Sequence, residues 1–159
     1  MLLFASKLDY CNSLFKNLPA VSINRLQLVQ NALARVVVPS VKRSHHLSPT
    51  LRKLHWLPIQ QRITFKIASL TYKTLQLKQP SYLSELLTPY CPPRTLRSSD
   101  KHLLLVPDIR SAQGRRSFVF AAPTIWNSLP ISLRTSQSIS SFHAGLKTHF
   151  SLRNAVTLS

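Results

Sequence analysis

Between Pro58 and Pro80 the chain runs for roughly twenty residues, IQQRITFKIASLTYKTLQLKQ, without a glycine or a proline. This stretch constrains the fold more than any other. Proline suits the start of a helix, because its missing N–H would be unpaired there in any case. Pro58 therefore reads as an entry point, and the run supplies about five helical turns. At 100° per residue, Ile59, Ile63, Ile67, Leu70 and Leu77 share one face, while Phe65, Ala68, Tyr72 and Leu75 gather almost opposite. A helix apolar on two sides is sandwiched by other elements, so the rest of the chain is expected to pack around this one. One gap between the faces holds Thr64 and Thr71. The other holds Arg62, Lys66, Ser69 and Lys73, a single ridge of positive charge that reads equally as a solvated edge or as a contact surface for an anion.

The flanking segments are also helical in pattern. Over residues 2–15, Phe4, Leu8, Cys11 and Phe15 step by four, three and four, which predicts an amphipathic first helix ended by Asn17-Leu18-Pro19. A second helix is expected over 20–38, with Ile23, Leu26, Val29, Leu33 and Val36 as its apolar stripe and Pro39 as its stop. The two together read as a helical hairpin. A basic loop carrying Lys42 and Arg43 follows, then a short helix over 50–56 started by Ser48-Pro49. After Pro80 a fourth amphipathic piece, 81–87, offers Tyr82, Leu83, Leu86 and Leu87 for burial.

The segment 88–101, TPYCPPRTLRSSDK, carries three prolines together with Arg94 and Arg97 and reads as an extended connector. It divides the chain into a helical part, 1–87, and a smaller C-terminal part, 102–159. In the latter, 102–106 and 117–120 are expected to pair as a short β-hairpin across Gly114. Pro123 is expected to begin one or two helical turns that bury Ile125, Trp126 and Leu129. Residues 134–141 read as a hydrophilic linker, with Ser140 or Ser141 capping a last helix that buries Phe142, Leu146 and Phe150 and places Lys147 and Arg153 late. The fold class is thus mainly α, a small helical array around a central long helix, with a short hairpin in the C-terminal half.

Charge narrows the function. Against 21 Lys and Arg stand only Asp9, Glu85, Asp100 and Asp108, for a net charge of +17. A polyanion neutralises such a chain, nucleic acid first and an acidic membrane second, or else the chain is one part of a larger assembly. Glycine occurs twice where ordinary usage predicts roughly eleven, so no glycine-rich phosphate loop is available. Cys11 and Cys91 are too few for a disulfide framework and are expected as free thiols in a reducing compartment. The six histidines lack metal-ligand spacing, and no cofactor or metal is expected. No run of 18 apolar residues is present to span a membrane, and the first residues lack the pattern of a secretory signal. The expected location is intracellular, in nucleus or cytoplasm.

Phosphoryl or nucleotidyl transfer needs clustered carboxylates to hold divalent metal ions. The four here are scattered, and no nucleophile elbow or comparable neighbourhood is present. An enzyme is not expected. Lysine and arginine suit phosphate neutralisation, while Trp56, Tyr72, Tyr90 and Trp126 are the aromatic side chains available for base stacking. Tyr72 and Trp126 lie in apolar patterns and are expected in the core instead.

Seven phrases carry a more specific signal: LDYCNSLF (8–15), RLQLVQNALARVV (25–37), LHWLPIQQRITFKI (54–67), PSYLSELL (80–87), RTLRSSD (94–100), AAPTIWNSLP (121–130) and SSFHAGLKTHF (140–150). In that order, over about Lys7 to Phe150, they resemble the C-terminal region of reverse transcriptase polyproteins from non-LTR, LINE-type retrotransposons. The resemblance implies thumb-side helices followed by a C-terminal extension that holds nucleic acid, with the polymerase motifs lying upstream and outside this chain. It implies RNA or DNA phosphate backbone and the upstream parts of a parental polyprotein as partners, and no catalytic residue. Arg62, Lys66, Lys73, Lys42, Arg43, Arg94 and Arg97 are the expected phosphate contacts. The alternative reading is a functionless remnant of a decayed element.

Overall fold

The structure is a computed structural model that describes residues 12–39, 47–92 and 102–156. Its described elements are helical: α1 (Ala20–Val37), α2 (Ser48–Lys53), α3 (Ile59–Leu77), α4 (Ser81–Ser84), α5 (Phe118–Ser128), α6 (Ile131–Arg134) and α7 (Ile139–Val156), with 3-10 turns at Asn12–Phe15 and Gly114–Arg116. The mainly α class holds. No helix among the described residues is long and apolar enough to cross a membrane. Of the expected first helix, 2–15, only the turn at Asn12–Phe15 falls within the described residues. The chain divides into two compact units, Met1–Ile63 and Thr64–Ser159, so α3 contributes its first turn to one and the remainder to the other. Most of the expected connector, 88–101, lies outside the described residues.

In the first unit a small core forms from Ala34, Leu47 and Leu51, with Leu54 and Trp56 against it. The buried side of α1 is not the expected stripe, since Val29 is 51% and Val36 66% exposed while Gln30 is fully buried. Hydrogen bonding decides this. The Gln30 side-chain amide donates to the Leu57 carbonyl (2.8 Å), and the Ile59 backbone N–H donates to the Gln27 side-chain oxygen (3.0 Å). Gln27 Nε2 in turn donates to Gln30 Oε1 (2.9 Å). The first N–H groups of a helix have no partner inside it, so Gln27 caps α3 from outside while Gln30 ties down the segment entering it. Pro58 precedes α3, and its carbonyl accepts the first helical bond from Arg62 N–H (2.9 Å).

With so little glycine, other residues take left-handed backbone positions, His55 and Lys78 just past helix ends. Asn17, His55, Lys78 and His102 have φ of 59, 54, 54 and 48°. His55 closes α2, its N–H donating to the Arg52 carbonyl (2.9 Å) and the next N–H, of Trp56, reaching back to Leu51 (2.8 Å). That pairing satisfies carbonyls a helix end leaves open, and glycine normally serves it.

The second unit is centred on Phe142, which is fully buried. Tyr72 of α3 stacks on it at 4.5 Å and Trp126 of α5 lies at 6.1 Å, ring centre to ring centre. Tyr72 and Trp126 are 3% and 2% exposed, as their apolar patterns predict. Ile125, Leu129, Leu146 and Phe150 are buried as well, again as expected. On α3, however, Leu77 is 59% exposed, and in the stretch around α4 only Leu87 of the expected four is buried, with Tyr82 66% exposed.

Four further expectations are corrected here. The 102–106 and 117–120 hairpin does not form. Leu104 instead makes an isolated antiparallel bridge with Pro89, and residues from 118 onward belong to α5. The sequence FVFAAPTIW satisfies a helical period as well as a strand, and the length of the apolar run settles it for helix. Pro123 therefore lies inside α5 rather than at its start. The hydrophilic stretch 134–141 is not a linker throughout, because Arg134 ends α6 and is buried. Finally, α7 begins at Ile139, so Ser138 is the cap, accepting at its Oγ from the Ser141 N–H (3.2 Å), and Lys147 sits mid-helix. Gly145 permits close packing of α7, since a Cβ there would come within 2.5 Å of Leu133 Cδ2.

Candidate nucleic-acid interface

Lysine dominates the expected ridge on α3. Lys66 and Lys73 are exposed and, seven residues apart, share a face about 10 Å apart along the axis. Ser69 between them is buried, its hydroxyl without a partner. Arg62 is half-buried with Nη1 sealed from solvent, and it falls in the first unit whereas both lysines fall in the second.

Helix α7 adds His143 and Lys147, neither of them among the expected phosphate contacts. His143 packs on Phe65, ring centres 5.1 Å apart, and contacts the Phe142 ring at 6.2 Å. Its pKa is lowered first by burial and then by the positive charges of Lys73 and Lys147. Two exposed cations from different helices thus act on one imidazole. His143 and Lys147 each follow a buried residue of the Phe142, Leu146 stripe by one position, about 100° around the helix. That offset is legible in the sequence, but its meeting with the flank of α3 is not.

Of the aromatics, Tyr72 and Trp126 are spent in the core. Tyr90 is 38% exposed. Arg110 faces Asp108 at 3.8 Å with both side chains almost fully exposed, a pairing of small energetic weight. Lys42, Arg43, Arg94 and Arg97 lie outside the described residues. Cys91 is an exposed free thiol, and Cys11 lies outside the described residues. Among the described residues no three His, Cys, Asp or Glu side chains converge as a metal site would require.

No family model matches the chain, and neither a curated protein nor a solved structure matches it.

Proposed function

We propose that this chain is a nucleic-acid-holding module of the kind its sequence resembles, the C-terminal region of a LINE-type reverse transcriptase, binding RNA or DNA backbone without sequence preference and without a catalytic core. The observation that supports the reading is the pair of exposed lysines on α3, Lys66 and Lys73, with exposed Lys147 of α7 acting alongside Lys73 on His143, in a chain of net charge +17. The lysines arise from helices that pack on the Phe142 core, which fixes where their stems begin. Phosphates displacing counterions from such lysines supply affinity that falls with salt. The upstream parts of a parental polyprotein would then supply the chemistry.

The test is the salt dependence of RNA and DNA binding by the wild type and by the triple variant Lys66→Gln, Lys73→Gln, Lys147→Gln. Each phosphate contact contributes about 0.7 to 0.9 to the slope of log K against log salt, so the variant should lose about two units while its helical content and Tm stay unchanged. An unchanged slope in a folded variant overturns the assignment of these residues. Metal-dependent primer extension by the pure chain overturns the non-catalytic part.

A further inference from the structure

A second feature of the Thr64–Ser159 unit carries an inference independent of the lysine surface. A cavity of about 450 Å³ opens between the end of α3, the bridge at Leu104 and the turn from α6 into α7. Its volume is in the range of small-molecule sites. Hydrogen bonds hold its walls in place. Trp126 Nε1–H donates to the His102 carbonyl (2.8 Å), Asn127 both accepts from the Leu104 N–H (2.9 Å) and donates to its carbonyl (2.8 Å), and the Tyr72 hydroxyl donates to the Ser136 carbonyl (2.8 Å).

Arg134 lines this cavity and is only 7% exposed, yet its Nε and Nη1 are sealed from solvent with no hydrogen-bond partner. The guanidinium remains charged, because arginine does not lose its proton in proteins. Burial lowers its pKa, as expected of a cation without a counter-charge. A buried charge left unpaired is among the costliest arrangements a fold can hold. The two described carboxylates, Glu85 and Asp108, are both exposed and do not line the cavity. The same cavity is lined by polar residues, Gln76, Thr135 and Gln137, and by apolar ones, Leu104 and Trp126.

We propose that this cavity binds a small molecule through an oxyanion, a phosphate monoester or a carboxylate, paired with Arg134. A guanidinium suits either group, which would meet it from the cavity at the nitrogen other than the sealed Nε and Nη1. The apolar wall takes the organic part of the ligand.

The probes are inorganic phosphate and acetate, each compared with chloride at matched ionic strength. Thermal melting and Trp126 fluorescence in a Trp56→Phe background are the readouts. Tenfold above its Kd, the preferred anion should raise Tm by about 3–6 °C and perturb Trp126 fluorescence with the same midpoint. Whichever of the two acts at lower concentration identifies the oxyanion. Arg134→Met should abolish both effects, and Arg134→Lys, which keeps the charge should the Met variant fail to fold, should weaken them at least tenfold. The Lys66, Lys73, Lys147 triple glutamine variant should keep both, which separates this site from the nucleic-acid surface. The proposal is overturned if neither anion acts on the wild type, or if Arg134→Met responds as the wild type does. It is equally overturned if a response appears only in Asp100→Asn, for then the chain's own carboxylate serves Arg134.

Discussion

Gln30 and Arg134 are both polar side chains buried within helices, one in each compact unit, and they meet opposite fates. Gln30 is fully buried with its amide donating to the Leu57 carbonyl and its oxygen accepting from Gln27. Arg134 is almost as deeply buried with two nitrogens unserved. Neutral amides can be satisfied by neighbouring backbone, whereas a guanidinium needs an acceptor-rich partner, and this chain has four carboxylates against 21 Lys and Arg. The difference teaches where to look for a ligand. A satisfied buried polar group holds the fold together, and an unsatisfied buried cation points to a partner of opposite charge.

The sharpest way to break the comparison is to remove each group in turn. Gln30→Met keeps the volume but strands the Leu57 carbonyl and leaves the Gln27 amide with Asn31 alone as acceptor, and should cost about 2 kcal/mol in urea unfolding. Arg134→Met, measured without phosphate or carboxylate, should instead stabilise by about 1 kcal/mol, because an apolar side chain of similar length replaces an unpaired charge. If both variants lose stability alike, Arg134 is structural and the contrast fails. A milder test uses Thr74, whose buried hydroxyl also lacks a hydrogen-bond partner. Thr74→Val should be neutral to stabilising by about 0.5–1 kcal/mol on the same measurement.

Smaller effects sharpen the picture at the helix ends and on the lysine surface. His55→Gly should stabilise by up to about 1 kcal/mol, since φ of 54° is strained for a residue with a Cβ. The unfolded chain's extra freedom on gaining glycine offsets part of that. The pH dependence of His143 follows from its lowered pKa. Below about pH 6.5 the unfolded chain takes up a proton at this ring that the folded chain resists. Stability should therefore fall as pH drops below that value and level off once the folded ring also protonates. Above it, His143 contributes no pH dependence. The drop should shrink in the Lys73→Gln, Lys147→Gln variant, read by melting at pH 5 to 7.5.

Much of the fold was legible from the chain alone, and the reasons are local. The run between Pro58 and Pro80 lacks helix breakers and repeats its apolar residues at helical spacing, so α3 follows from backbone sterics and side-chain period together. The stripe Phe142, Leu146, Phe150 specifies α7 in the same way. Less of the candidate site was legible. Lys66 and Lys73 could be placed on one face by counting, but His143 meets α3 only in the folded chain, through a contact with Phe65 nearly eighty positions away.

The helical class and the positions of the long helices follow from neighbours within a few turns, and the excess of positive charge from composition alone. Only the tertiary structure decided which polar side chains are buried. Gln30 turns inward because the backbone at Leu57 and Ile59 needs its amide and that of Gln27. The segment after Gly114 becomes helix rather than strand, and Ala121, Ala122, Ile125 and Trp126 of it are buried at helical spacing, with Leu129 beyond its end. Arg134, in a stretch that reads as a polar linker, is buried and lines a cavity together with residues as distant as Gln76 and Leu104. Burial is a property of the assembled surroundings, and no window of sequence around Arg134 contains the residues that close over it.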